Sequence, residues 1–485
     1  MEGVRPPASW KKRAALLLVL SLAAFFLYPL PARLLLGEWT FPFDDPWIHQ
    51  VYARNLARYG QYAFNPGEPS SGSSAPLWTL LMAPAHLLGL PAVPWALFLG
   101  LLSLLGLGAI LWAWAERHFP PPWPALLTAA ALLAPQVAWA GVEGMETALV
   151  AALSLFILYR LDRFPWERSG PALLDGLLNG LLLWLRPEAP LLTAVVLWQR
   201  RRAGRRHLLA FGLAWLAMAG PYFLFHLAVG GRPFPQTVYA KTAYYGVSTK
   251  AITRLVFLRH LGLTLLPGPW LPVLVLLPVA FRQMARSRRW TWGPGLAWAG
   301  LTLLLAALRL PTVLHFGRHF VPVLLPPLLA CGEALTILPR PGRRFFILLG
   351  TGLLLIGMLI GVGLYIPLCR DILASQVAMG RYIAGHLPAG AVVATHDIGA
   401  VGYFGEHRVV DILALIEPEV TPLVTTRDWG GLAAYLRARG VAYLASLEGL
   451  FPELRAETRA VPVFQTGRMV LYSLLWTRLA ADPAE

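Results

Sequence analysis

The chain has 485 residues, of which 57% are hydrophobic and only 14% charged, with a mean hydropathy of +0.57 and a formal net charge of +16. That composition excludes a wholly soluble protein of two or three domains, because runs of ~20 apolar residues cross a bilayer as helices. Nor does the charge point to nucleic acid: residues 366–485 carry 10 Arg against 12 acidic residues, so the basic excess lies in residues 1–365. There it gathers in short loops between apolar runs (Lys11–Arg13, Arg200–Arg206, Arg282–Arg289, Arg340–Arg344), the positive-inside pattern of a membrane protein. The two cysteines, Cys331 and Cys369, lie too far apart for a C-x-x-C site and form no disulfide framework.

Ala14–Leu36 is the first predicted span. It is longer than a signal core and no small-x-small cleavage site closes it, so it reads as an uncleaved anchor. With the basic clusters inside, the N-terminus is cytoplasmic and residues 37–75 form a long outside loop. In that loop Ile48, Val51, Tyr52, Leu56 and Tyr59 recur at helical spacing, which predicts an amphipathic helix over Pro46–Tyr59 lying on the membrane surface. Asn65–Ser74 is turn chemistry and predicts a mobile loop. Apolar runs follow near 76–90, 92–115, 122–140, 146–161, 171–198, 207–229, 253–280, 291–308, 318–337 and 345–366. Together they make about eleven crossings and leave residues 367–485 outside.

The C-terminal residues change character. Ala391–Thr395, Val409–Ile412 and Val441–Leu444 read as short buried strands, and Leu432–Arg439 as a helix closed by Gly440. The expected architecture is a multispan α-helical membrane domain over 1–366, followed by a small extracytoplasmic α/β domain over 367–485.

The residues with most chemical promise are Asp44 and Asp45, in the outside loop among Phe41, Phe43 and Trp47. A carboxylate there can act as a general base, and an apolar surround raises its proton affinity. Asp45 directly precedes Pro46, and Asp at an N-cap with Pro next is a common helix start, so capping competes with catalysis. Capping needs one Asp only, which leaves Asp44 the freer of the two. Arg186 and Glu188 interrupt an apolar run, where ionisable groups are functional or paired with one another; Glu143 is a further partner for Arg186. Arg54 fits equally a snorkelling interfacial residue, Lys241 a solvated one and Arg318 an interfacial anchor.

Several segments, in order, resemble the GT-C glycosyltransferases. These are Phe43-Asp44-Asp45-Pro46-Trp47-Ile48, Tyr52-Ala53-Arg54-Asn55-Leu56, Phe64-Asn65-Pro66-Gly67-Glu68 and Ser74-Ala75-Pro76-Leu77-Trp78. Farther along come Gly144-Met145-Glu146-Thr147, Leu185-Arg186-Pro187-Glu188, Pro235–Lys241, Gly317–Pro322 and Thr395–Phe404 with Val410-Asp411. The nearest likeness is to the branch with the mycobacterial terminal arabinofuranosyltransferases and bacterial mannosyltransferase-like proteins. The first-loop motif is the specific one; the others persuade only together.

The resemblance implies a multi-pass enzyme of the bacterial inner (plasma) membrane. It would move a sugar from a polyprenyl-phosphate donor to an extracytoplasmic acceptor, whether glycan, lipid or protein. Asp44 is then the base, and Asp45 caps the helix or helps hold the acceptor or a metal. His49, Arg54, Glu146, Arg186, Glu188, Lys241, Arg318, His396 and Asp397 become donor- or acceptor-binding candidates, the cations facing the donor phosphate. Counting crossings puts Glu146 inside, whereas the resemblance puts it outside near the aspartates, the placement favoured here. His396-Asp397 is similar also to the HD phosphohydrolases, but those are all-helical, and here the pair ends a strand. Its bland reading is a turn in which Asp397 bonds its own backbone ahead of Gly399. The acids are compatible with one divalent cation such as Mg or Mn, although no complete ligand set is visible. The rival readings are a transporter or flippase for lipid-linked sugars, against which the lack of an internal repeat counts, and a non-catalytic membrane scaffold.

Overall fold

The computed structural model describes residues 10–246, 251–309 and 315–476. Among them, five helices are long and apolar enough to cross a membrane: Trp10–Leu36, Ala92–His118, Arg205–Gly230, Phe316–Ile337 and Arg340–His386. Phe257–Leu265 and Trp270–Ser287, bent by 97° at their junction, make a sixth if they count as one span. Proline accounts for much of the difference from the apolar runs in the sequence. The 122–140 run becomes two helices, Trp123–Leu133 and Pro135–Ala140, because Ala134 precedes Pro135 and takes an extended ψ of 128°. The 171–198 run likewise divides into Ser169–Leu183 and Pro190–Arg200 on either side of Arg186-Pro187.

The chain forms two compact units, one of Met1–Trp39, Val93–Pro221 and Lys250–Ile366, the other of Thr40–Ala92, Tyr222–Thr249 and Pro367–Glu485. Among its described residues, all the regular elements of the first are helices. Its core includes the buried rings of Tyr28, Trp139 and Tyr365, with centroids 5.1–6.0 Å apart, and Tyr365 donates its hydroxyl to the Val142 carbonyl at 2.9 Å. At Gly100 the chain passes so close to Gly141 that any Cβ would collide with its carbonyl.

The second unit is built on a mixed five-stranded sheet, in the order β4 (Arg408–Asp411), β3 (Val392–Thr395), β5 (Val441–Leu447), β7 (Met469–Ser473), β6 (Val461–Thr466). The first three run parallel, and β7 pairs antiparallel with both β5 and β6. The continuous apolar Val-Val-Ala of β3 suits a strand covered on both faces. The helix Trp429–Ala438 starts where the Asp428 carboxylate accepts the Gly431 N–H at 2.8 Å. The β6–β7 hairpin lies outside the three strands expected from the sequence.

Two expectations for the first loop are corrected. The helix Asp45–Tyr59 is buried from Pro46 to Asn55 rather than laid on a membrane surface. It packs against the helices Pro76–Leu87 and Ile398–Gly405, and its polar residues bond inside the protein. His86 Nε2 lies 2.8 Å from Gln50 Oε1, and His49 Nδ1 lies 3.0 Å from Ser73 Oγ and 3.2 Å from Thr79 Oγ1. Nor is Asn65–Ser74 a mobile loop. It starts on the last residue of β1 (Ala63–Asn65) and carries β2 (Glu68–Pro69), which pairs with it, and Ser71 and Ser73 are buried.

Asn65 ties that loop to the sheet. Its amide donates to the Val409 carbonyl at 2.8 Å and accepts the Val409 N–H at 3.0 Å, so it pairs an edge strand that would otherwise present open backbone. Arg408 and Glu68 meet beside it at 2.8 Å. Replacing Asn65 by Ala leaves a buried donor and acceptor unmet, and is expected to lower unfolding stability by about 1–3 kcal/mol. Chemical denaturation in detergent would read this, and an unchanged midpoint would refute the role.

Candidate functional site

Asp44 stands immediately before the helix Asp45–Tyr59, which makes Asp45 the first helical residue rather than the cap expected of it. The Asp44 carboxylate turns instead to another helix, Ile398–Gly405. Its Oδ2 accepts the Gly399 N–H at 2.6 Å, and its Oδ1 accepts the Ala400 N–H at 2.7 Å. Asp397, at the cap position of that helix, makes no side-chain cap bond, so Asp44 satisfies the orphan donors from a distant segment. Glycine is required at 399, because a Cβ there would run into the Asp44 carbonyl and carboxylate.

Burial and then the charge of Asp397 push the Asp44 carboxyl well above the usual carboxylate range, against the pull of the Ala400 and Gly399 N–H groups. Asp397 accepts from Gln376 Nε2 at 2.7 Å, in place of the backbone turn considered from sequence. His396 Nε2 lies 3.5 Å from Asp397 Oδ2, and burial beside the Phe451 ring lowers the imidazole pKa. Both members of the His-Asp pair thus sit at the strand end anticipated for them, between β3 and the helix.

Arg54 reaches the other end of the same helix. Its Nη1 donates to the Tyr403 carbonyl at 2.6 Å and its Nη2 to the Gly402 carbonyl at 3.3 Å, with the guanidinium 5.2 Å from the Tyr403 ring centroid. A cation on C-terminal carbonyls complements the helix dipole. Arg54 therefore does not snorkel into an interface. Lys241 lies half-buried on the helix Gln236–Gly246 of the same unit.

A second constellation belongs to the helical unit. Arg186 Nε pairs with Glu146 Oε1 at 3.0 Å, and its Nη1 lies 3.7 Å from Glu188 Oε1 and 2.9 Å from His319 Nδ1. Thr147 Oγ1 donates to Glu143 Oε1 at 2.5 Å and lies 3.5 Å from Arg186 Nη2. Glu143, Glu146, Arg186 and Arg318 are all buried. Left-handed backbone at Phe316 (φ 56°) and Gly317 (φ 74°) makes the turn that delivers Arg318 and His319. Burial raises the Glu143 carboxyl to about 7, although Arg318 and the Thr147 hydroxyl pull it down.

Of the residues singled out from sequence, Asp44, Asp45, His49, Arg54, Lys241, His396 and Asp397 fall in the sheet-bearing unit. Glu146, Arg186, Glu188 and Arg318 fall in the helical one. From the sequence Glu143 is legible only as a partner for Arg186. His319 and Gln376 received no role, and only the motif around Arg318 pointed to the former. Among the described residues no three His, Cys, Asp or Glu side chains group as a metal site.

Residues 370–478 match a family model described as a domain of unknown function, DUF8728. No curated protein matches by sequence. Solved structures match along nearly the whole chain. ArnT from Cupriavidus metallidurans in the apo state aligns at a TM-score of 0.63 and 15% identity, over 96% of this chain and 97% of that one. ArnT bound to undecaprenyl phosphate aligns at 0.62 and 15%, over 96% and 98%. The Archaeoglobus fulgidus oligosaccharyltransferase in its apo form aligns at 0.59 and 10%, over 91% and 70%. The chain has the GT-C fold. This agrees with the resemblance drawn from the first-loop motif and from the weaker motifs after it.

Removing the Arg186 charge leaves Glu146 buried opposite a neutral group. Arg186→Gln is expected to cost about 3–5 kcal/mol of stability, part of it restored when Glu146→Gln is added. A double-mutant cycle by thermal unfolding tests this; strictly additive losses would mean the two do not interact.

Proposed function

We propose that the protein is a membrane glycosyltransferase that moves a sugar from a polyprenyl-phosphate donor to an acceptor hydroxyl or amide on the extracytoplasmic side. The observation that carries this reading is Asp44. It is a half-buried carboxylate with raised proton affinity, oriented by two backbone N–H groups, in a chain with the GT-C fold. Undecaprenyl phosphate bound to ArnT supports a lipid-phosphate donor. In this reading the membrane region makes about eleven crossings, residues 367–485 lie outside, and the acceptor is a cell-envelope glycan, a glycolipid or a protein.

Each carboxylate oxygen has a second lone pair, so Asp44 can hold two N–H groups and still accept a proton. The acceptor oxygen or nitrogen attacks the anomeric carbon and gives its proton to Asp44, while the bond from that carbon to the phosphate oxygen breaks. A phosphate monoester leaves without protonation, and nearby cations stabilise its growing charge. Arg186 and Arg318 in the helical unit, and separately Lys241 in the sheet-bearing unit, are candidates for phosphate contact, with Glu146, Glu188 and His319 orienting Arg186. Arg54 holds the Ile398–Gly405 helix, and through it Asp44, in position. Asp45, His49, His396 and Asp397 complete the acceptor side.

Asp44→Asn keeps an oxygen for one N–H but loses the base. Sugar transfer should fall by about 10²–10⁴-fold, with a stability loss of only about 1 kcal/mol. The assay uses purified protein with several polyprenyl-phosphate sugars, with and without chelator. Full transfer by a folded Asp44→Asn variant would end the base assignment and leave Asp44 as a clamp.

A pH profile adds a separate check. A base must be ionised, and the Asp44 carboxyl is raised, so the acid limb of kcat/KM should lie above the ~4 of an ordinary aspartate. Asp397→Asn removes a charge that raises Asp44 and should move that limb to lower pH. A limb that stays in place would disconnect Asp44 from the rate.

A further inference from the structure

Away from both constellations, the helical unit contains an apolar cleft of about 280 Å³ between the helices Trp123–Leu133, Trp270–Ser287, Val321–Ile337 and Arg340–Ile372. Leu127, Val273, Leu328, Phe346 and Leu354 line it, and Gly350 leaves its wall open, with only Pro272 Cγ near a hypothetical Cβ, at 3.9 Å. Beyond one end lie the arginines of two connecting segments. Arg340, Arg343 and Arg344 precede the lining residue Phe346 on the same helix, and Arg282, Arg286, Arg288 and Arg289 follow the lining residue Leu276. Both segments come to the same end, because Trp292, just past Arg289, donates to Glu333 near the C-terminus of Val321–Ile337 at 3.1 Å. Arg343 lies over the ring of Trp123, a lining residue, at 5.6 Å.

Among the described residues none of these seven arginines has a carboxylate within ion-pairing distance, and all but Arg343 are exposed. An apolar cleft beside a strongly cationic end matches a molecule with a hydrocarbon chain and an anionic head. We propose that this cleft binds an anionic diacyl phospholipid, its phosphate among Arg340, Arg344 and the Arg282–Arg289 segment and an acyl chain along Leu127, Val273 and Leu354. The positive-inside pattern puts those arginines in the cytoplasmic leaflet, where the anionic lipids are diacyl phospholipids. That separates this site from a polyprenyl-phosphate donor used on the opposite side, and it does not depend on the glycosyl-transfer reading.

The test is native mass spectrometry of the full chain in detergent, with phosphatidylglycerol, phosphatidylethanolamine and undecaprenyl phosphate added as separate probes. Phosphatidylglycerol should be retained over phosphatidylethanolamine, each arginine near the headgroup contributing about fivefold. Arg340→Gln/Arg344→Gln, both on exposed positions, should remove most of that preference and leave Tm in lipid-free detergent unchanged. Gly350→Leu should fill the cleft and reduce retention of both phospholipids. Equal retention of the two phospholipids by the unmodified protein would overturn the proposal, as would variants that bind as it does. Undecaprenyl phosphate displacing phosphatidylglycerol at equal concentration would overturn it too, by making the cleft a donor-lipid site.

Discussion

One short helix, Ile398–Gly405, is held at both ends by the loop that follows the first span. Asp44 accepts its first free N–H groups, and Arg54 donates to its last carbonyls. An eight-residue helix is too short to persist by its own propensity, so these charged contacts on its two poles decide where it sits. Asp44 is the N-cap residue of the helix Asp45–Tyr59 and Arg54 lies within it, about 15 Å farther along its rise, so a single element carries both grips. Trp47 packs on Tyr403 and Phe404 between the two grips, with ring centroids 4.9 and 4.8 Å away. The first loop and the C-terminal sheet are therefore one folded unit.

That clamp also shapes the chemistry available to Asp44. Two N–H donors alone would make it a strong acid, whereas burial and the Asp397 charge act the other way and prevail. The outcome is a carboxylate with fixed orientation and enhanced basicity, the combination wanted of a general base. In the helical unit, Arg186 spreads one guanidinium over Glu146, Glu188 and His319, which fixes its plane. Such crowding is costly unless every charge has a neighbour of opposite sign, and there Glu143 and Glu146 face Arg186 and Arg318.

Much was legible in the sequence because it depends on local pattern. Apolar runs broken by arginine clusters mark a multi-pass membrane protein, since hydrocarbon tolerates few other compositions. The strands at Val392, Arg408 and Val441, and the helix closed by Gly440, follow from short-range propensity and turn chemistry. The first-loop motif around Asp44-Asp45 led to the GT-C fold.

What the sequence could not reveal are pairings between distant segments. Helical periodicity in Pro46–Tyr59 is the same for a helix on a membrane and for one buried in protein; only its contacts with Pro76–Leu87 and Ile398–Gly405 distinguish the two. The turn-rich Asn65–Ser74 segment reads as mobile until Asn65 is seen pairing with Val409, 344 positions away. Asp44 is the clearest case. By itself the sequence determined that an acidic pair follows the first span and precedes a helix. Tertiary structure decided that the first carboxylate serves another helix 355 positions away, because orphan N–H groups at a helix start take whichever acceptor the fold brings to them.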